Sequence, residues 1–151
     1  MILITDSREQ KELRFSHPYI TAVRKEKLDV ADYACIYKNG HVCQYVFERK
    51  SMGDLFGSLS GGYPRFKKEI DRAKENNQIL YILIEGSFTK IMKGYSRSKI
   101  KGISIARTLW TLRFRYGIHH KYCTTRREMA EFITQFYCWY GSKKLYLEKE
   151  N

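Results

Sequence analysis

Val46-Phe47-Glu48-Arg49-Lys50-Ser51-Met52-Gly53-Asp54 is an apolar run that ends in three charged residues, with a second carboxylate four positions after Lys50. Read as a strand, it turns alternate side chains to one face. Glu48 and Lys50 then point one way and Arg49 the other. An acid and a base side by side at the end of a buried strand are expensive to desolvate. A lone E-x-K is ordinarily a surface ion pair, so the flanking sequence decides its meaning.

Upstream, Leu28, Val30, Asp32, Ala34 and Ile36 alternate and place a carboxylate inside an apolar stripe. A buried Asp32 requires a partner or a metal. Lys38-Asn39-Gly40 is a turn signal between this segment and the returning strand from Val42 to Phe47. A three-residue loop with Gly40 left-handed pairs residues whose numbers sum to 78. Asp32 then faces Val46, and Glu48 is its diagonal neighbour on the same face. An odd register without a bulge would separate the two carboxylates. Ile2 to Thr5 reads as a buried strand closed by Asp6-Ser7-Arg8-Glu9. If it lies beside the hairpin, Asp6, Glu9, Asp32, Glu48 and Asp54 converge.

Crowded carboxylates repel and raise one another's pKa. A divalent cation relieves that repulsion, and an all-oxygen donor set suits Mg2+ or Mn2+ rather than zinc. Such an ion activates water and stabilises charge on a phosphate under attack, and Lys50 stands ready to orient the water. The implied chemistry is phosphodiester hydrolysis.

The remaining chain supplies the body of an α/β domain. Lys11 to Lys27 is polar, and Pro18 restricts any helix there to short pieces. A helix is expected from Tyr63-Pro64 to about Asn76, with Tyr63, Phe66, Ile70 and Ala73 as its apolar stripe. Ile79 to Ile84 suits a central strand covered on both faces. Lys93 to Ile103 reads as a mobile basic loop. A helix from about Ser104 to Tyr116 packs through Ala106, Leu109, Trp110 and Phe114. A short strand, Ile118 to Cys123, precedes a last helix with Met129, Phe132, Ile133, Phe136 and Tyr140 inward, stopped by Gly141. This order gives a mixed central sheet flanked by helices, one domain over residues 1–142 and a charged tail over 143–151.

Twenty-eight basic against 16 acidic residues give a net charge of +12, which argues for nucleic acid as the polyanionic partner. No apolar run approaches a membrane span, no secretory leader is visible, and none of the four cysteines forms a C-x-x-C pair. A cytoplasmic or nucleoid-associated place with reduced thiols is expected, or the host cytoplasm if the chain is viral. From Lys93 to Glu128 there are ten Lys or Arg and one acid. Lys93, Arg97, Lys99 and Lys101 are the loop candidates for phosphate contacts. Tyr95 is either a platform for an unpaired base or a loop anchor.

Asp6-x-Arg8-Glu9, Asp32-Tyr33 and Glu48-Arg49-Lys50-x-x-x-Asp54-Leu55 together resemble the nuclease domain of the XPF/Hef structure-specific endonucleases, in the PD-(D/E)XK superfamily. The resemblance continues through Ser58-Leu59 and Arg65-Phe66 to the central strand, and Ala31 replaces the glycine expected before Asp32. It implies a restriction-endonuclease-like fold, metal ligation by Asp32 and Glu48, and a catalytic Lys50. Arg49 and Asp54 would support the site, with Asp6, Arg8 and Glu9 at its rim and Arg65 among the DNA contacts. It also implies cleavage of branched, flap or junction DNA, and homodimerisation. The compact chain suggests a phage or mobile-element enzyme. Cleavage of linear or single-stranded DNA by a related enzyme, and a non-catalytic DNA-binding subunit, are the alternatives. Retention of every acidic and E-R-K residue favours an active enzyme.

Overall fold

Alternation and apolar runs become six strands of one mixed sheet in the computed structural model, which describes residues 1–150, with side chains through Lys144. The strands are β1 (Ile2–Asp6), β2 (Ala22–Glu26), β3 (Tyr33–Ile36), β4 (Tyr45–Lys50), β5 (Ile79–Glu85) and β6 (His119–Cys123). Their order across the sheet is β2-β1-β3-β4-β5-β6. Strand β3 is antiparallel to both β1 and β4, while β4, β5 and β6 run parallel. The C-terminal ends of β1, β4 and β5 and the N-terminal end of β3 therefore meet at one edge.

Five helices cover the sheet: α1 (Met52–Ser58), α2 (Tyr63–Glu75), α3 (Phe88–Lys93), α4 (Gly102–Tyr116) and α5 (Arg126–Glu150). On one face Ile4, Ala34, Val46, Leu80, Ile82 and Ile84 share a core with Leu55, Phe66, Ile70, Ile91, Ile105 and Leu109 of α1 to α4. On the other, Leu3, Tyr33, Phe47 and Leu83 pack with Met129, Ile133 and Tyr137 of α5. Strand β5 contributes to both cores, as its unbroken apolar run requires.

The hairpin register is even on both sides of a bulge. Tyr37 and His41 flank a three-residue loop in which Gly40 has φ +84°. Ile36 pairs with Val42, a sum of 78, but Tyr33 pairs with Phe47, a sum of 80. Two extra residues on the β4 side preserve parity and advance β4 past β3. Asp32 therefore stands beside Phe47 and Glu48 instead of facing Val46. Its N–H donates to the Phe47 carbonyl.

Several expectations are corrected. Leu28 to Tyr37 is not one strand, because Ala31 takes φ +66° and breaks it. The polar segment before it contains β2, an exposed edge strand whose burial is too slight to leave a periodic signal. In α4 the inner face is Ile105, Ala106, Leu109 and Leu112. Trp110 and Phe114 lie off that phase, and Phe114 is 86% exposed. Lys93 to Ile103 is not all loop: Lys93 ends α3, and Gly102 opens α4 against it, where a Cβ would clash with the Ile91 carbonyl oxygen. Gly141 does not stop α5: a Cβ there would meet the Tyr37 ring at 2.7 Å, so this glycine admits a close approach of α5 to the residue after β3. The segment expected as a tail, 143–151, lies mostly outside the described side chains.

Candidate active site

The sheet edge gathers two sets of charged side chains, one on each face. Glu48 and Lys50 turn towards α1 and α2. Glu48 is buried, and Lys50 Nζ lies 3.3 Å from its Oε1. Lys50 also donates to Ser58 Oγ at 3.1 Å and rests 5.4 Å from the centre of the Phe66 ring. These contacts fix a flexible ammonium at the end of β4.

Arg49 points to the opposite face, as alternation requires. One of its amino groups is 3.0 Å from Glu9 Oε1, and the other is 3.8 Å from Glu85 Oε2. Arg49 and Glu9 are nearly buried, so the pair is a structural brace between the segment after β1 and β4. Asp6 is a second brace. Its carboxylate accepts from Arg8 and from the Leu28 N–H, and its own N–H donates to the Asp32 carbonyl at 2.8 Å.

Asp32 Oδ2 accepts the backbone N–H of Arg49 at 2.8 Å, which supplies the partner that its position demands. Burial nevertheless pushes its pKa up to about 7, with the charges of Glu9 and Glu69 adding to the rise while the Arg49 N–H and Lys50 oppose it. Glu48 is raised well above the carboxylate range, first by burial and then by Asp32 and Glu69, against the pull of Lys50. Burial thus makes the ionised forms of both carboxylates costly, and further positive charge beside them would lower that cost.

Of the expected acidic cluster, Asp32 and Glu48 come together. Glu9 and Asp6 adjoin them but are occupied by arginines and backbone N–H groups. Asp54 is exposed in the first turn of α1, where its N–H donates to the Ser51 side chain. Glu69 was not anticipated. Helix α2 brings it in beside Phe66 and Ile70, its Oε1 accepts the Ala31 N–H at 3.0 Å, and its carboxyl group adjoins that of Glu48 and helps to raise its pKa. The signal was available: Glu69 is three residues after Phe66 and four before Ala73, on the flank of the buried stripe.

Among the described residues no three potential ligands stand as a ready metal cage. Two carboxylates with phosphate and water oxygens nevertheless match how Mg2+ is ordinarily held. The donor chemistry and the unrelieved repulsion between Asp32 and Glu48 fit such an ion.

The basic residues lie outside this pocket. Lys93, Arg97, Lys99, Lys101 and, on α2, Arg65 are all exposed. Tyr95 is half-buried. Its ring is 5.9 Å from that of Phe56, and it covers Gly53, so it anchors the loop to α1. No helix is long and apolar enough to cross a membrane among the described residues.

The sequence matches the ERCC4 domain over residues 5–136. The fold is similar to that of XPF from Aeropyrum pernix, with a TM-score of 0.64 and 21% identity over 88% of this chain and 61% of that one. It is also similar to the same protein in a complex with DNA, with a TM-score of 0.65 and 20% identity over 89% of this chain and 62% of that one. The chain thus spans about three-fifths of those proteins, and at this identity the likeness establishes the fold. No curated protein matches the sequence.

Proposed function

This chain belongs to the ERCC4 domain family, and from that premise we propose that it is a divalent-metal-dependent endonuclease that hydrolyses DNA at branches, flaps or junctions. The observation that carries the reading is the pairing of Asp32 and Glu48 with Lys50 at one sheet edge. An ion pair kept only for stability would not need a further largely buried carboxylate, Asp32, raised in pKa beside it. The +12 charge and the DNA-bound state of one structural neighbour support a nucleic-acid substrate.

In this mechanism Asp32 and Glu48 would hold Mg2+ or Mn2+. When bound, the ion supplies water activation and neutralises charge on the phosphate. The Arg49 N–H fixes one oxygen of Asp32, and the other would be available to the ion. Lys50, held by Glu48 and Ser58, donates to the attacking water or to a phosphate oxygen. Arg49 does not touch the reacting atoms. It locks β4 to Glu9 and so sets the angle at which Glu48 and Lys50 emerge. Lys93 at the end of α3 and the loop residues Arg97, Lys99 and Lys101, with Arg65, draw in the backbone by charge without reading sequence. Tyr95 keeps that loop against α1.

The test is cleavage of flap, fork, four-way-junction and linear DNA in Mg2+ by the wild type, Asp32→Ala and Lys50→Ala. The expected result is cutting of branched substrates by the wild type alone. Equal cutting by the variants would mean that the site lies elsewhere, and preference for linear or single-stranded DNA would replace the substrate class.

A further inference from the structure

Ala31 is buried and takes φ +66°, a conformation that L side chains rarely adopt. Its neighbours explain why the chain turns there. On one side the Leu28 N–H is tied to Asp6, and Val30 is sunk in the core. On the other, Asp32 is held from both strands: its carbonyl accepts from Asp6 and its N–H donates to Phe47. One residue must absorb the change of direction between these two fixed points. The turn leaves the Ala31 N–H inside the protein with no strand partner, and the only acceptor described for it is Glu69 Oε1 at 3.0 Å.

We propose that Glu69 is a positioning residue for Asp32, acting through the backbone of Ala31. The inference rests on the reading of Asp32 as a metal ligand, and it deepens that reading. Helix α2 is the element that carries Glu69, and it is packed on the sheet through Phe66, Ile70 and Ala73. It therefore acts as a rigid bar from which one carboxylate oxygen holds the strained turn in place. Without that acceptor a buried N–H is left unpaired next to a disfavoured φ, and the turn relaxes. Asp32 is the next residue, so relaxation swings its carboxylate away from the Arg49 N–H and from Glu48. Supporting groups of this kind are commonly worth a tenfold to hundredfold effect on metal affinity or activity.

Glu69 also adjoins Glu48, so a direct electrostatic role must be separated from the brace. Glu69→Gln keeps an oxygen acceptor for Ala31 and removes the charge, whereas Glu69→Ala removes both. Three readouts apply to each variant: hydrogen exchange of the Ala31 amide, Mn2+ affinity by titration, and single-turnover cleavage with DNA affinity measured separately. The expected pattern is that Glu69→Gln stays within about threefold of the wild type and keeps the amide protected. Glu69→Ala loses the protection, binds Mn2+ about tenfold or more weakly, and cuts correspondingly slowly at unchanged DNA affinity. Because glycine adopts this φ without strain, the loss caused by Glu69→Ala should be smaller in an Ala31→Gly background. The proposal is overturned if Glu69→Gln is as impaired as Glu69→Ala, or if the Ala31→Gly and Glu69→Ala effects simply multiply. Failure of the underlying site reading shows separately, as an unchanged Mn2+ affinity in Asp32→Ala.

Discussion

Replacing Asp32 by Asn should stabilise the metal-free protein while removing its activity. Asn retains an oxygen for the Arg49 N–H and occupies nearly the same volume, so packing is preserved. The gain comes from titration. Asp32 is raised from 3.8 to about 7, with burial the largest cause. Between those values the folded protein holds a proton that the unfolded chain has released. Stability therefore falls as pH rises through that window and is lowest above it. The rise from 3.8 to about 7 sets a ceiling of about 4 kcal/mol, and local relaxation should reduce this to about 1–3 kcal/mol. At this chain length that corresponds to roughly 3–10 °C in Tm. The assay is thermal unfolding of wild type and Asp32→Asn in EDTA at pH 4 and pH 8, repeated at pH 8 with Mg2+. The variant should be more stable at pH 8 and nearly equal at pH 4, and Mg2+ should stabilise only the wild type. An equal gain at both pH values, or a loss at pH 8, would refute the claim that Asp32 is held at an electrostatic cost.

Three further perturbations probe the frame around the site. Glu9→Ala leaves the nearly buried Arg49 short of its main partner and should cost about 3 kcal/mol in urea unfolding, whereas an exposed pair would lose less than about 1 kcal/mol. Gly102→Ala drives a methyl group into the Ile91 carbonyl and should destabilise by more than about 2 kcal/mol; an unchanged Tm would show that α3 and α4 are not so closely apposed. Neutralising Lys93, Arg97, Lys99 and Lys101 together should weaken DNA binding for every sequence and reduce the slope of log affinity against log salt by about 0.9 for each lost phosphate contact. An unaltered slope in fluorescence anisotropy would remove the loop from the interface.

Much of this fold was legible because burial imposes periodicity. The run from Ile79 to Ile84 could be placed as a central strand because both its faces are covered. The Lys38-Asn39-Gly40 loop was readable from its turn chemistry, and with it the even register and the shared face of Asp32 and Glu48. The alternation Glu48-Arg49-Lys50 correctly sent the arginine to the opposite face. Strand β2 escaped because an exposed edge leaves no apolar pattern. The two-residue bulge escaped because parity survives it. In α4, apolar character alone points Trp110 and Phe114 inward, but the helix phase set by Ile105, Leu109 and Leu112 leaves both outside. Gly141 reads as a helix stop, yet it serves close packing, a distinction that depends on tertiary neighbours. Glu69 was hidden among the charges of α2, and the left-handed turn at Ala31 that it supports cannot be inferred from an alanine.

The most direct test of the account is the single-turnover rate of flap-DNA cleavage in Mg2+ for wild type and Lys50→Ala, at protein concentrations that saturate the DNA. Lys50 is fixed by Glu48 and Ser58 at the sheet edge and is assigned to the chemical step. Its loss should therefore slow cutting by at least about a hundredfold while DNA affinity stays unchanged. A Lys50→Ala enzyme that cuts at the wild-type rate would contradict the assignment of this carboxylate–lysine edge as the active site.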